Sequence, residues 1–272
     1  MDWAKAKTIL IAVLIGVNAT LAGVLAFRHN EAESSKIREL AEIAAVLELA
    51  GYELPPEPLP DDSAPVLDLL RDADAERAAA EFLLGGPAAS LPLSTGGASM
   101  RYICRLGEAV FRTGGNFDLD FYEPLYTDDI QTTLPDWLRG MGFLTGDSQA
   151  DIAAADSGAA VHARRGGLLS WDEGATALVF DGKAVSISGR WQLGQIRRSP
   201  SIGISNPAHW ALLSLAEYLR VSAGGPPGRL LDMELGYSLE VLSSDITRFI
   251  PCWRVNLETG SYYVNALTGD VK

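Results

Sequence analysis

The sharpest contrast between apolar and polar positions lies near the start of the chain. Thr8–Phe27 is 20 residues without a charge, and eleven of them are Ile, Leu, Val or Phe. At about 1.5 Å per residue, a helix of that length spans roughly 30 Å, the hydrocarbon thickness of a bilayer. A secretory signal has a shorter apolar core, about 7–15 residues. The pattern therefore predicts a retained transmembrane helix over 8–27. Lys5 and Lys7 lie close before it in a short stub, 1–7. That arrangement predicts a cytoplasmic N-terminus and a single-pass cell-membrane protein with an extracytoplasmic C-terminal domain.

Within the span, Ala12, Gly16, Ala19, Gly23 and Ala26 recur at spacings of 4, 3, 4 and 3, a stripe of small residues down one helix face. Asn18 flanks the stripe. Small side chains let a partner helix approach closely, and the partner can satisfy a buried amide. Ala12, Gly16, Asn18, Ala19 and Gly23 are thus candidate protein-interaction residues.

Beyond the span the periodicity becomes that of a globular chain. Ile37, Leu40, Ala41, Ala44, Leu47 and Ala50 follow the helical period, and Gly51 ends it. "VLDLL" reads as a short strand. Asp72 or Asp74 caps a helix over Ala75–Leu84, which Gly85-Gly86-Pro87 stops. Two strand-like runs follow, with Gly114-Gly115 turning between them. In the second, Phe117, Leu119 and Phe121 face one way, while Asp118 and Asp120 face the other. Asp128 or Asp129 caps a helix that Pro135 kinks or divides. Gly142–Gly167 is rich in Gly, Ala, Asp and Ser and marks a lobe boundary, with "DIAAADSGAAV" helical in part.

Past that boundary, "LLSW" and "TALVF" read as strands, and Asp181-Gly182 turns into "KAVSISGRWQL". Asn206-Pro207 starts a helix with the apolar stripe Leu212, Leu215, Ala216 and Leu219. Three strand-like runs close the chain. The expectation is an α+β protein: the transmembrane helix, a stalk and first α+β lobe over 28–145, and a second over 146–272. The second lobe is expected to be a helix packed on a three-stranded antiparallel meander.

Charge narrows the partners. The chain carries a net −13, and residues 31–272 hold 19 basic against 34 acidic residues. Nucleic acid and anionic lipid head groups are bound by Lys and Arg, so neither suits so acidic a domain. Cys104 and Cys252 match no zinc or redox spacing. They are either a disulfide pair or two small core residues. His29, His162 and His209 are scattered, and no phosphate-cradling loop, nucleophile elbow or dinucleotide fingerprint is present. The five tryptophans from Trp137 onward read as core or strand-face residues. No catalytic, cofactor or metal residue is predicted. The reading is of a non-catalytic protein that acts by binding.

Both ends of the chain carry a more specific pattern. Met1-Asp2-Trp3, Lys7-Thr8 and an apolar span holding Asn18 open it. Leu235-Gly236-Tyr237, Pro251-Cys252-Trp253-Arg254-Val255, Tyr262-Tyr263-Val264-Asn265-Ala266 and Thr268-Gly269 close it. This resembles the YycI/YycH family. There a helix precedes a Leu-Gly-Tyr strand, a Pro-x-Trp-x-Val strand follows, and a Tyr-Val-Asn-Ala-x-x-Gly ending closes the chain. The likeness runs along 206–272; between Glu31 and Ser205 it extends only to length and strand order. Cys252 stands where a small apolar residue is expected, and the chain is richer in Ala and Gly than the family.

The resemblance implies a membrane-anchored, non-enzymatic regulator of a WalK-type sensor histidine kinase that controls cell-wall metabolism. It also implies a YycH-like sister protein as partner. The same ending resembles PepSY-type domains of protease propeptides and exported regulators. The alternatives are therefore a PepSY-like protease inhibitor or propeptide, and a cell-wall binding module.

Overall fold

The computed structural model describes residues 41–94, 98–144, 148–153, 158–199, 203–222 and 225–272. Local signals set most element ends. Helix α1 occupies 41–49, and Gly51 follows it at φ 96°. Strands β1 (Tyr52–Glu53) and β2 (Leu67–Arg71) lead to α2 (Ala73–Leu84). The Asp72 carboxylate caps α2, accepting from the Asp74 and Ala75 amides at 3.0 and 3.1 Å. Strand β3 (Ala89–Pro92) follows. The first expected strand run is in fact two strands, β4 (Ser99–Ile103) and β5 (Gly107–Arg112), before β6 (Asn116–Tyr126). Phe117, Leu119 and Phe121 are buried on β6, as its alternation requires. Helix α3 (Ile130–Gly140) starts at the Asp129 cap and runs past Pro135 as one helix.

The Gly- and Ala-rich stretch is a hairpin, β7 (Ser148–Ala153) and β8 (Gly158–Arg165), paired from Ser148↔Arg165 to Ala153↔Ala160. It contains no helix among the described residues. Ala159, Val161 and Ala163 alternate onto the buried side, and a period of two outweighs the helical preference of alanine. Strands β9 (Leu168–Phe180) and β10 (Lys183–Arg190) turn at Asp181-Gly182, both at positive φ. Then come β11 (Gly194–Arg198), α4 (Ala208–Ser222), β12 (Gly228–Val241), β13 (Ile246–Leu257) and β14 (Gly260–Asn265).

The strands form one curled mixed sheet in the order β11-β2-β13-β12-β9-β10-β6-β5-β4-β3, with β1 on β12, β14 on β13 and β7–β8 on β9. This corrects the expected fold class. Helix α4 does pack on β13 and β14, but those strands are not a free-standing meander. Strand β13 also pairs with β2, and β12 pairs in parallel with β9 through Gly236↔Leu169 and Tyr237↔Ser170. A fourteen-stranded sheet therefore replaces two separate α+β lobes.

The expected membrane span is corrected as well. Thr8–Phe27 lies outside the described residues, and among the described residues no helix is long and apolar enough to cross a membrane. The cell-membrane, single-pass placement rested on that span and on the family resemblance, and no described helix supplies another span.

Two cores line the side of the sheet that carries the helices. One gathers α2, α3 and the inner faces of β4–β6 and β8–β10 around Phe117, Phe143 and Trp191. The other gathers α1, β1, β2, α4 and β12–β14 around Phe249, Trp253 and Leu215. Arg71, at the end of β2, ties the two regions. Its guanidinium donates to Glu76 on α2 at 2.6 and 2.9 Å, and both side chains are buried.

Candidate functional site

Gly236 sits in the middle of β12, where a glycine weakens a strand unless something must come close. Its neighbours Leu235 and Tyr237 point into the second core. On the opposite, helix-free face, a Cβ at Gly236 would meet the Trp171 indole at 2.5 Å and the Leu169 carbonyl at 2.6 Å. Glycine is thus what lets the tryptophan lie against the sheet. The Trp171 N–H donates to the Cys252 carbonyl at 3.4 Å. The next residue, Asp172, accepts from the Leu239 amide at 2.7 Å and the Ser238 hydroxyl at 3.0 Å. The ring is therefore anchored from both β12 and β13.

Arg254 lies over this ring, its guanidinium carbon 4.5 Å from the centroid, a stacking that adds about 0.5–1 kcal/mol at a half-exposed site. Its Nη2 donates to Glu234 at 2.9 Å and lies 3.9 Å from Asp232. The Tyr263 ring meets Trp171 edge-on, with centroids 5.8 Å apart. The Arg254 Nε is buried without a hydrogen-bond partner. Together these groups make a rigid aromatic platform with one cation and two carboxylates, all half-buried or exposed. Such a surface recognises a protein or polar ligand by stacking and charge. The Cys252 thiol beneath it is no nucleophile. Burial pushes its pKa up to about 12, so it stays protonated at neutral pH.

A second polar cluster lies inside, where the cores meet. Arg165 donates from Nε and Nη2 to the two Glu173 oxygens at 2.9 Å each. The Gln192 backbone N–H donates to Glu173 at 3.3 Å, and the Thr247 hydroxyl donates to the Gln192 side-chain oxygen. The Arg165 guanidinium faces Trp191 of one core and Phe249 of the other, 5.7 and 5.5 Å from their centroids. All four polar residues are buried. This cluster joins the two cores and presents nothing to solvent.

The sequence-predicted interaction residues Ala12, Gly16, Asn18, Ala19 and Gly23 lie outside the described residues. Asp118 is ion-paired with Arg112 on the wet face of β6. No group of three His, Cys, Asp or Glu side chains among the described residues could hold a metal. Cys104 and Cys252 are both free and buried. Trp191 and Trp253 are core residues, whereas Trp171 is a face residue. Sequence reasoning missed Trp171 and its neighbours as a site. The signal that could have found them was Gly236, a glycine in the interior of an otherwise strong strand pattern.

No family model and no curated protein matches the sequence. The YycI/YycH resemblance therefore rests on the quoted residues alone. Two solved structures are weak neighbours. An uncharacterized protein from Eubacterium rectale aligns over 81% of this chain and 89% of its own, at 8% identity and TM-score 0.46. The YpeB C-terminal domain of Bacillus megaterium aligns over 75% of this chain and 98% of its own, at 12% identity and TM-score 0.37. Neither likeness bears on what this chain does.

Proposed function

We propose that this protein is a non-catalytic regulator that acts by contact with a protein partner. The partner is a WalK-type sensor histidine kinase of cell-wall metabolism, engaged alone or together with a YycH-like sister protein. One observation carries the reading. Residues that bear the family resemblance surround one ring that is not among them, Trp171 of β9: Gly236 admits the ring, Arg254 covers it, Tyr263 abuts it and the Cys252 carbonyl accepts its N–H. A pattern kept only for folding would end in the core. Here Arg254 and Tyr263 end instead on the face that carries none of the described helices, beside the Trp171 ring and Glu234.

The test measures autophosphorylation of a purified, reconstituted WalK-type kinase with and without the full chain. The variants Trp171→Ala and Arg254→Glu are compared with wild type. The expected result is a change in kinase output that both variants reduce at least about fivefold, as interface anchors do. Unchanged output together with no measurable association would sink the reading. Inhibition of an exported protease by the same chain would favour the PepSY-like alternative instead.

A further inference from the structure

Strands β6 and β9 each end, on the face that carries none of the described helices, in large side chains that no described element covers. Phe180 and Tyr126 are each 75% exposed, Tyr122 is 58% exposed and Leu178 49%. Register brings them together. Lys183 of β10 pairs with Phe180 on one side and with Tyr126 on the other, so two strand spacings, roughly 10 Å, separate the rings' backbones. On the neighbouring outward rung Leu178 pairs with Ser186, and Ser186 with Asp120. The alternate residues point the other way: Ala184 is fully buried, and Leu125 packs on the first core. The register shift between Ala184 and Ser186 leaves Tyr122, Glu123 and Pro124 unpaired with β10, between the two rungs.

Three large apolar side chains on two adjacent rungs, with Tyr122 between the rungs, make a patch, and Tyr and Phe are the residues that enrich interface centres. Its rim is acidic. Asp120, Glu123, Asp128 and Asp181 are exposed, and none of them is in an ion pair among the described residues. Lys183 is the cation among them, and Arg101, paired with Glu108 on the neighbouring strands, lies on the Tyr122 side. The rim decides what fits. An anionic lipid surface or a nucleic acid brings more negative charge. A second copy brings the same carboxylates on a chain of net −13. A segment that alternates basic and apolar side chains satisfies both the rings and the rim.

We infer that the β6–β10–β9 end of the helix-free face is a docking surface for a basic, apolar-rich polypeptide segment, with Phe180, Tyr126, Tyr122 and Leu178 as its apolar floor. The inference stands apart from the sensor-kinase reading and does not need it. Phe180 lies nine residues along β9 from Trp171, so one strand presents both surfaces.

The experiment titrates the full chain with a fluorescent peptide of repeated Lys-Leu pairs, and with its Glu-Leu counterpart. Phe180→Ser/Tyr126→Ser and Asp120→Asn/Glu123→Gln are compared with wild type. All four positions are exposed, and an unchanged thermal midpoint verifies folding. The expected result is binding of the Lys-Leu peptide only, about tenfold weaker in the aromatic double variant. The carboxylate double variant binds several-fold more weakly, with a shallower salt dependence. The inference is overturned if the Lys-Leu peptide fails to bind, or binds the aromatic variant as tightly as wild type. It is equally overturned if phosphatidylglycerol vesicles bind the patch, or if the patch drives self-association that the peptide does not compete away.

Discussion

In the first core five rings touch in series: Tyr102, Phe111, Phe117, Phe143 and Trp191, with successive centroids 5.9, 6.1, 5.0 and 5.7 Å apart. In the second core the aliphatic stripe of α4 covers the sheet, and three rings use their polar tips. The Tyr52 hydroxyl donates to the Leu212 carbonyl at 2.7 Å, the Tyr237 hydroxyl to Pro65 at 3.1 Å, and the Trp253 N–H to Asn206 at 3.0 Å. The first core draws on one stretch of chain, about residues 75–193, and closes by ring packing. The second joins residues 43–69 to 208–271 and closes by hydrogen-bonded clamps between distant segments. Apart from Tyr102, whose hydroxyl donates to the Ala73 carbonyl at 3.1 Å, a ring lost from the first leaves only a cavity. One lost from a clamp leaves a cavity and an orphaned carbonyl.

That difference is testable by chemical denaturation. Trp253→Ala is expected to cost about 3–5 kcal/mol, toward the upper end because the Asn206 carbonyl loses its donor. Phe117→Ala, with no hydrogen bond to lose, is expected nearer 3 kcal/mol. A larger loss at Phe117 than at Trp253 breaks the comparison. At the junction, Glu173→Leu leaves the Arg165 charge buried beside the cores and is expected to cost about 3 kcal/mol. Replacing both partners, Arg165→Met with Glu173→Leu, is expected to recover most of that. If the double variant is no better than the single, the pair does more than neutralise itself.

Smaller effects sharpen the contrast. Tyr237→Phe keeps the ring and removes one clamp; the expected cost is about 1 kcal/mol, and a neutral result would make the clamp incidental. Asp68 on β2 accepts from Arg248 on β13 at 2.7 Å, and those hydrogen bonds hold its carboxyl below the usual range. A lowered carboxylate pKa stabilises the fold above the ordinary value, about 3.9, and that stability fades as pH falls through the lowered one. The midpoint of wild type is therefore expected to drop faster than that of Asp68→Asn below about pH 4. Parallel curves would remove the pair from the second core's stability.

Short-range signals in the sequence were legible. The Asp72 and Asp129 caps, the β6 alternation, the Asp181-Gly182 turn and the strand character of β12–β14 all depend on residues a few positions apart. Asn206 shows where that reading stops. Its Nδ2 donates to the Leu267 carbonyl at 3.3 Å and its own carbonyl accepts from the Trp253 N–H, contacts that the C-terminal strands bring to it. The β9–β12 parallel join and the β2–β13 pairing left no local trace, since neither changes the period of either strand. The hairpin β7–β8 was obscured by alanine, which suits a helix but here fills a crowded sheet face. The Trp171 platform left one local mark, Gly236 inside the β12 pattern, but its parts are brought together only by register.

The split origin of the second core sets the order in which a ribosome can complete the molecule. Asp68 leaves the exit tunnel 180 residues before Arg248, its partner. At about 5–20 residues per second, β2 waits on the order of ten to forty seconds for β13. During that wait every residue of the first core, through Leu193, is already synthesised. The ring-packed core can therefore form before β13 exists, while one edge of β2 stays open beside it. That edge is where a nascent chain of this protein exposes unpaired backbone, and where a chaperone or a neighbouring chain pairs first.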